Sequence, residues 1–121
     1  MNREILFRGY NYQYKKWFYG SLFIQNYDND FMLSSSRTMI IDDKGYSVMV
    51  DNGTIGEYTG LKDKNGVEVY EGDKVKAKFY GKEVVGEIGF NSGCFLLWNS
   101  CVSDNQLFIF TDIEVIGNIY E

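Results

Sequence analysis

The chain has 121 residues, a formal net charge of −5, and a hydrophobic content of 45%. This size and composition predict one domain with a real core and exclude extensive disorder. The acidic balance disfavours broad binding to nucleic acids or anionic membranes, because phosphate groups repel a negatively charged chain. No segment is long and apolar enough to span a bilayer, and the N-terminus lacks a signal-peptide pattern, so we expect a cytoplasmic protein.

The residue types favour β-structure. The chain contains 10 Tyr, 9 Phe and 2 Trp, and aromatic side chains fit the half-buried surface of a pleated sheet. Proline is absent, so turns must be built by the 13 glycines together with Asn, Asp and Ser.

Strand patterns recur through the first half of the chain, at residues 3–8, 17–24, 31–33, 38–41, 46–50 and 55–59. Gly20 interrupts the second pattern, which indicates a bulge or a close backbone approach. Asp42–Gly45 has the composition of a hairpin turn. The polar stretch 9–16 suits a connection, and Ser34–Ser36 separates two short strand candidates.

Strand patterns continue in the second half, at residues 67–70, 73–79, 83–90, 94–98, 107–110 and 114–119. A short helix or 3₁₀ turn is expected near residues 99–106 or 111–114. Turn signals every eight to twelve residues predict a mainly β fold, a small antiparallel barrel or sandwich. We expect a single domain, in which an N-terminal β region (1–54) packs on an SH3-like barrel region (55–121).

The strand that opens at Gly72-Asp73 carries the only basic stripe. Lys74, Lys76 and Lys78 alternate with apolar residues and share one face. Three lysines would bind nucleic acid only weakly in a chain of net charge −5, so we favour a solvated strand face. Such a face would also fit an edge strand whose lysines prevent aggregation.

An aromatic segment near the N-terminus is the other candidate binding site. Its members are Tyr10, Tyr12, Trp17 and Tyr19. One interpretation is that Trp17 and Tyr19 pack on the core while the tyrosines cover its edge. The alternatives are an interface with another protein or a second copy, and a nucleotide pocket in which Arg8 or Arg37 lies near an aromatic ring.

The sequence lacks recognisable catalytic machinery. Histidine is absent, so Ser-His-Asp or Cys-His catalysis cannot be assembled from this chain, and no P-loop is present. Neighbouring carboxylates such as Asp42-Asp43 lie in predicted turns, where Asp stabilises the backbone, so no metal or cofactor site is predicted. Cys94 and Cys101 are read as small buried residues, although a disulfide between them stays open.

The longest distinctive motif is the run Tyr58–Gly66. Further residues of the same pattern are Arg3-Glu4-Ile5, Phe7-Arg8, Glu68, Tyr70–Asp73, Val75 and Gly117–Glu121. Together these residues resemble the YopX family of small proteins from bacteriophages and prophages. The resemblance implies a phage origin and a mostly β fold, and it brings no catalytic residue.

The residue types of this signature are those that turns and cores require. We assign structural roles to Tyr58, Gly60, Leu61, Asp63, Asn65, Gly66, Tyr70, Gly72, Asp73, Gly117 and Asn118. Asn65 and Gly66 are expected to supply positive φ angles in a hairpin turn, and the tyrosines and Leu61 to supply core. The functional expectation is a non-enzymatic protein that binds a host or phage protein or its own copies. The alternatives are a sponge or sensor for a nucleotide-like ligand and weak nucleic-acid binding by the lysines.

Overall fold

The computed structural model describes residues 4–28, 34–99 and 103–120. It contains two compact units, Met1–Glu57 and Tyr58–Glu121. The predicted mainly β class is confirmed: the described residues form two antiparallel sheets, and within those residues neither sheet closes into a barrel. The SH3-like arrangement and the single-domain organisation stay predictions.

The first unit is built on consecutive antiparallel strands in the order β4-β3-β2-β1. Its strands are β1 (Phe7–Asn11), β2 (Lys16–Asp28), β3 (Ser34–Ile41) and β4 (Ser47–Met49). A 3₁₀ turn at Asn52–Thr54 follows, and β5 (Gly56–Lys62) begins beside β1, with Glu57 opposite Phe7.

Cross-strand pairing defines the core face of this unit. Leu22, Ile40 and Val48 lie opposite one another on β2, β3 and β4, and residues directly opposite share a face. Ile40 and Val50 are buried. The predicted close approach at Gly20 is confirmed, because a Cβ atom there would lie 2.0 Å from the carbonyl oxygen of Ile41.

The second unit contains the remainder of β5 and six further strands. These are β6 (Glu68–Tyr70), β7 (Asp73–Phe79), β8 (Lys82–Asn91), β9 (Cys94–Asn99), β10 (Ser103–Gln106) and β11 (Thr111–Asn118). The last five form a sheet in the order β10-β9-β8-β7-β11.

The core of the second unit follows the alternation along β7. Val75 and Ala77 are buried while Lys74 and Lys78 are exposed, as the sequence pattern predicts. The buried cluster consists of Val69, Val75, Ala77, Ile88, Leu97, Leu107, Phe110 and Ile113. Because Val69 belongs to β6, the β5–β6 hairpin is anchored on this sheet through the core.

Several local predictions are wrong. Residues 107–110 were expected to form a strand, but Leu107–Ile109 is a 3₁₀ turn, in which Phe110 N–H donates to the Leu107 carbonyl. The expected helical positions hold strands instead, β10 at Ser103–Gln106 and β11 from Thr111. The first error arises because a short apolar segment fits either conformation until tertiary packing selects one. Ser103–Gln106 is polar, and it is a strand because it pairs with β9.

The N-terminal boundaries also differ from those predicted. Strand β1 runs from Phe7 to Asn11, whereas the strand was expected at 3–8 and a connection from residue 9. The hairpin ladder with β2 extends the strand through polar residues that the apolar pattern does not mark. Ser34–Ser36 belongs to β3, paired with Asp28–Asn26 of β2, rather than separating two strands. The predicted strand at 31–33 lies outside the described residues.

Candidate binding surfaces

The β1–β2 hairpin brings the four aromatic candidates together. Tyr10 lies opposite Trp17, and Arg8 lies opposite Tyr19, so their side chains share one face. The ring centroid of Tyr10 is 5.3 Å from that of Trp17 and 4.9 Å from that of Tyr12, both with edge-on geometry. Tyr12 and Tyr19 are exposed, whereas Tyr10 and Trp17 are half-buried. The cluster therefore has a packed centre and an accessible rim.

Arg8 is part of this cluster rather than of an open pocket. Its guanidinium carbon lies 4.7 Å from the centroid of the Trp17 ring, and its side chain is buried. A guanidinium over an indole face is attracted by the ring quadrupole, so Arg8 stabilises the hairpin. Of the two arginines predicted to accompany aromatic rings, only Arg37 is exposed.

An exposed apolar row crosses the same face of the sheet. Phe23 on β2, Met39 on β3 and Met49 on β4 lie opposite one another. Phe23 is 39% exposed and Met49 is 51% exposed. Alternation along β2 places Phe23 on the side that carries Tyr19. We call Tyr19, Phe23, Met39 and Met49 the apolar face. Sequence reasoning missed it, because only strand register brings these residues together.

A polar cleft lies at the end of the first unit where the hairpin turn meets β3 and the segment after β4. Its volume is about 540 Å³. It is lined by Asn11, Tyr12, Gln13, Ile24, Arg37, Thr38, Met49, Val50, Asp51 and Asn52. Arg37 and Tyr12 thus both line this cleft.

A second and smaller cleft of about 280 Å³ lies within the same unit. It is lined by Tyr14, Lys16, Phe18, Tyr19, Ile40, Asp42, Tyr46, Ser47 and Val48. The Tyr14 and Phe18 rings are in edge contact, with centroids 6.2 Å apart. Aromatic and aliphatic side chains dominate this cleft, and its polar groups are few.

The lysine stripe lies on a central strand, so the prediction of a lysine-protected edge is wrong. Strand β7 pairs with β8 on one side and β11 on the other. The pairing also places carboxylates opposite the lysines: Lys74 faces Glu87, Lys76 faces Glu114 and Lys78 faces Glu83. Lys78 Nζ lies 3.4 Å from a carboxylate oxygen of Asp112. The stripe is therefore charge-compensated within its own sheet.

Asp63 of the signature is buried and accepts three backbone hydrogen bonds. One oxygen accepts the N–H groups of Asn65 at 2.8 Å and Val67 at 2.9 Å, and the other accepts that of Val115 at 2.9 Å. Burial alone would raise the pKa of Asp63, but the bonds from Val115, Val67 and Asn65, helped by the charge of Lys64, hold it below its usual value. The Asp63 carboxylate therefore has a structural role, because it holds three backbone N–H groups.

Lys64 adds two further ties to β11. Its N–H donates to the Ile113 carbonyl at 2.8 Å, and its Nζ lies 2.9 Å from Glu114. The hydrogen bond with Glu114 raises the pKa of Lys64 and lowers the pKa of Glu114. The central turn of the signature is thus fixed to the last strand.

The Tyr70–Asp73 part of the signature builds the entry to β7. Asp73 is buried and accepts the Tyr70 N–H at 2.8 Å. Gly72 has a φ of 89°, which favours glycine, and it bonds to Ile88 and Ile119 through its N–H and carbonyl. The buried rings of Tyr58 and Tyr70 lie 5.4 Å apart.

Other signature residues divide between correct and incorrect predictions. Gly66 has the expected positive φ of 81°, but Asn65 does not, and the Asn65 N–H donates to Asp63. Leu61 was expected in the core and is exposed, since the register of β5 against β6 shifts between Tyr58 and Lys62. Gly60 and Gly117 have positive φ angles, and the Asn118 side chain accepts the Tyr120 N–H. These three residues therefore belong to turns or bulges.

Residues 4–28, 34–99 and 103–120 contain no group of three acidic, Cys or His residues placed to hold a metal ion. Cys94 is half-buried, and its thiol lies 3.5 Å from the Asn91 carbonyl, while Cys101 lies outside the described residues. In the part of the chain that the structure describes, no helix has the length and apolarity needed to cross a membrane.

The described strands define a small antiparallel β protein, and its first unit presents an apolar face and two clefts. The family model described as "YopX protein" matches residues 6–121, and the chain belongs to the YopX family. No curated protein sequence matches the chain.

Proposed function

We propose that this YopX-family chain is a non-enzymatic accessory protein of a phage or prophage that acts through protein–protein contacts, with another protein or with its own copies. The observation that carries the proposal is the apolar face of the first unit. Phe23 and Met49 expose a large part of their side chains, and Met39 joins them into a continuous row.

The side-chain chemistry of this face suits a protein partner. Aromatic residues and methionine are enriched in interface centres, because they bury large areas and methionine adapts to irregular surfaces. Tyr19 adds an amphipathic ring on the same side of β2. No carboxylate belongs to the apolar face, so burying it against a partner carries no charge-desolvation cost from these four residues.

The absence of histidine and the structural use of Asp63 and Asp73 support a role without catalysis. Nucleic-acid binding through the lysines is less favoured, because Glu87, Glu114 and Glu83 lie opposite them. Membership of the YopX family supports the phage context, and the cytoplasm of the bacterial host is the proposed location.

Sedimentation velocity over a range of protein concentrations tests the self-contact form. Phe23→Ser and Met49→Lys each remove apolar area from the face, while Tyr80→Asn removes an exposed ring in the β7–β8 turn of the other unit. Association that weakens in both face variants and persists in Tyr80→Asn supports the proposal. Association that all three variants weaken equally would count against this face.

A further inference from the structure

The polar cleft of the first unit combines features of a small-molecule site. Its volume of about 540 Å³ falls within the range of ligand pockets, which is roughly 300–1,000 Å³. Its lining contains one guanidinium, one carboxylate, one tyrosine ring, one hydroxyl, side-chain amides and three apolar side chains. Met49 belongs to both surfaces, but the other lining residues are mostly polar, so this cleft suits a more polar ligand than the apolar face does.

The walls of the cleft are fixed by hydrogen bonds between separate segments. The buried Asn11 donates its amide N–H to the Met49 carbonyl and accepts the Tyr14 N–H, both at 2.7 Å. The Asp51 N–H donates to the Tyr10 carbonyl at 2.8 Å. The hairpin turn and the segment after β4 are thereby held together. A preformed cleft pays little ordering cost when a ligand binds.

The third wall is tied to the others in the same manner. Thr38 of β3 accepts the Val50 N–H on its carbonyl at 2.9 Å, and its hydroxyl donates to the Asn52 side chain at 3.2 Å. Arg37 precedes Thr38 on this strand and is exposed. Its guanidinium is the only cationic group among the cleft-lining residues, so a single anionic group of a ligand would be placed against it.

The other walls suit a planar ring. Tyr12 is 63% exposed, and its edge contact with Tyr10 sets the orientation of its ring. An exposed tyrosine ring offers a face on which a nucleobase can stack. Asn52 and Asp51 offer hydrogen-bonding groups for the edge of a heterocycle.

Charge then selects among nucleotides. A triphosphate would bring several negative charges towards one arginine, beside the Asp51 carboxylate, in a chain of net charge −5. A single phosphate can be matched by one guanidinium through paired hydrogen bonds. We propose that the polar cleft binds a nucleotide with one phosphate group, with the phosphate on Arg37 and the base on Tyr12.

Isothermal titration calorimetry of the full chain with AMP, GMP, CMP and UMP tests the proposal. We expect at least one of them to bind with a dissociation constant below about 1 mM, which corresponds to about −4 kcal/mol. Inorganic phosphate and the matching nucleoside should each bind at least about tenfold more weakly, and the matching triphosphate should also bind more weakly than the monophosphate.

Variants locate the site. Arg37→Gln and Tyr12→Leu should each weaken binding about tenfold or more, the loss expected from one charged hydrogen bond or one stacked base. Lys44→Gln, which removes an exposed cation in the Asp42–Gly45 turn outside the cleft, should leave affinity unchanged. Circular dichroism of each variant verifies the fold.

Four results would overturn the proposal: no binding of any monophosphate at millimolar concentration, equal binding of inorganic phosphate, tighter binding of the triphosphate, or equal weakening by Lys44→Gln and Arg37→Gln. If one of the two cleft variants does not fold, the other variant decides the outcome against the same control.

Discussion

The carboxylate of Asp63, in the β5–β6 turn, accepts the backbone N–H of Val115 at 2.9 Å across 52 positions of the chain. The Asp42–Gly45 turn of the first unit has the same local design: Asp42 accepts the N–H groups of Lys44 and Tyr46, as Asp63 accepts those of Asn65 and Val67. Asp63 differs from Asp42 in being buried and in making the bond to β11.

This comparison provides a matched pair of substitutions. Asp63→Asn leaves one oxygen acceptor and presents an amide donor to the other N–H groups, so it should destabilise the chain by about 1–3 kcal/mol. Asp42→Asn, in an exposed turn, should cost less than about 1 kcal/mol. Urea unfolding gives both values, and hydrogen exchange at the Val115 amide should quicken only in Asp63→Asn. Equal losses in the two variants would show that the tie to β11 contributes nothing.

Asp63 also predicts an acid dependence of stability. Its folded-state pKa lies below the ordinary value of 3.8, so the folded state binds the proton less readily than the unfolded state. The resulting stabilisation is complete above the unfolded pKa and is lost as the pH falls through the lower, folded pKa. Free energies of unfolding measured from pH 6 down to about pH 2.5 should fall more steeply for the wild type than for Asp63→Asn. Parallel curves for the two proteins would contradict this assignment.

The close approach at Gly20 predicts a severe effect of one methyl group. A Cβ atom there would lie 2.0 Å from the Ile41 carbonyl oxygen, and the φ of 157° already disfavours an L side chain. Gly20→Ala should therefore destabilise the chain by about 2 kcal/mol or more, as overpacking against backbone does. Gly89→Ala is the control, since its Cβ would meet nothing within 4 Å. A thermal midpoint of Gly20→Ala equal to that of Gly89→Ala would refute the close approach.

The lysine stripe predicts a charge-swap rescue. Lys74 and Glu87 lie directly opposite, and the other cross-strand neighbour of Lys74 is Gly117, which has no side chain. Lys74→Glu should lower stability by about 0.2–1 kcal/mol, and adding Glu87→Lys should restore most of the loss. Urea unfolding of the four proteins in this cycle gives the coupling, and its absence would mean that the two side chains do not interact.

Local features of the fold were predictable, while features that depend on register were not. The Asp42–Gly45 turn follows from residue types a few positions apart. Strand β7 is central because it pairs with β11, the last strand of the chain. The alternation of lysines along β7 does not indicate this long-range pairing. The 3₁₀ turn at Leu107–Ile109 replaced an expected strand because Leu107 and Phe110 are both drawn into the core.

The candidate site shows the same division. The aromatic segment was identified from composition, and the hairpin indeed gathers Tyr10, Tyr12, Trp17 and Tyr19. The apolar row was missed because its members come from three different strands, and in each strand the residue looks like an ordinary strand residue. Only the antiparallel register shows that Met39 lies between Phe23 and Met49.

Photo-crosslinking in bacterial cells tests the proposed contact surface most directly. A photoreactive residue placed at Met49, in the apolar face, is compared with one placed at Tyr80, which is more exposed but lies outside that face. The account predicts a discrete crosslinked adduct, with a second copy or with another protein, from position 49 and none from position 80. Adducts of equal yield from both positions, or none from position 49, would contradict it.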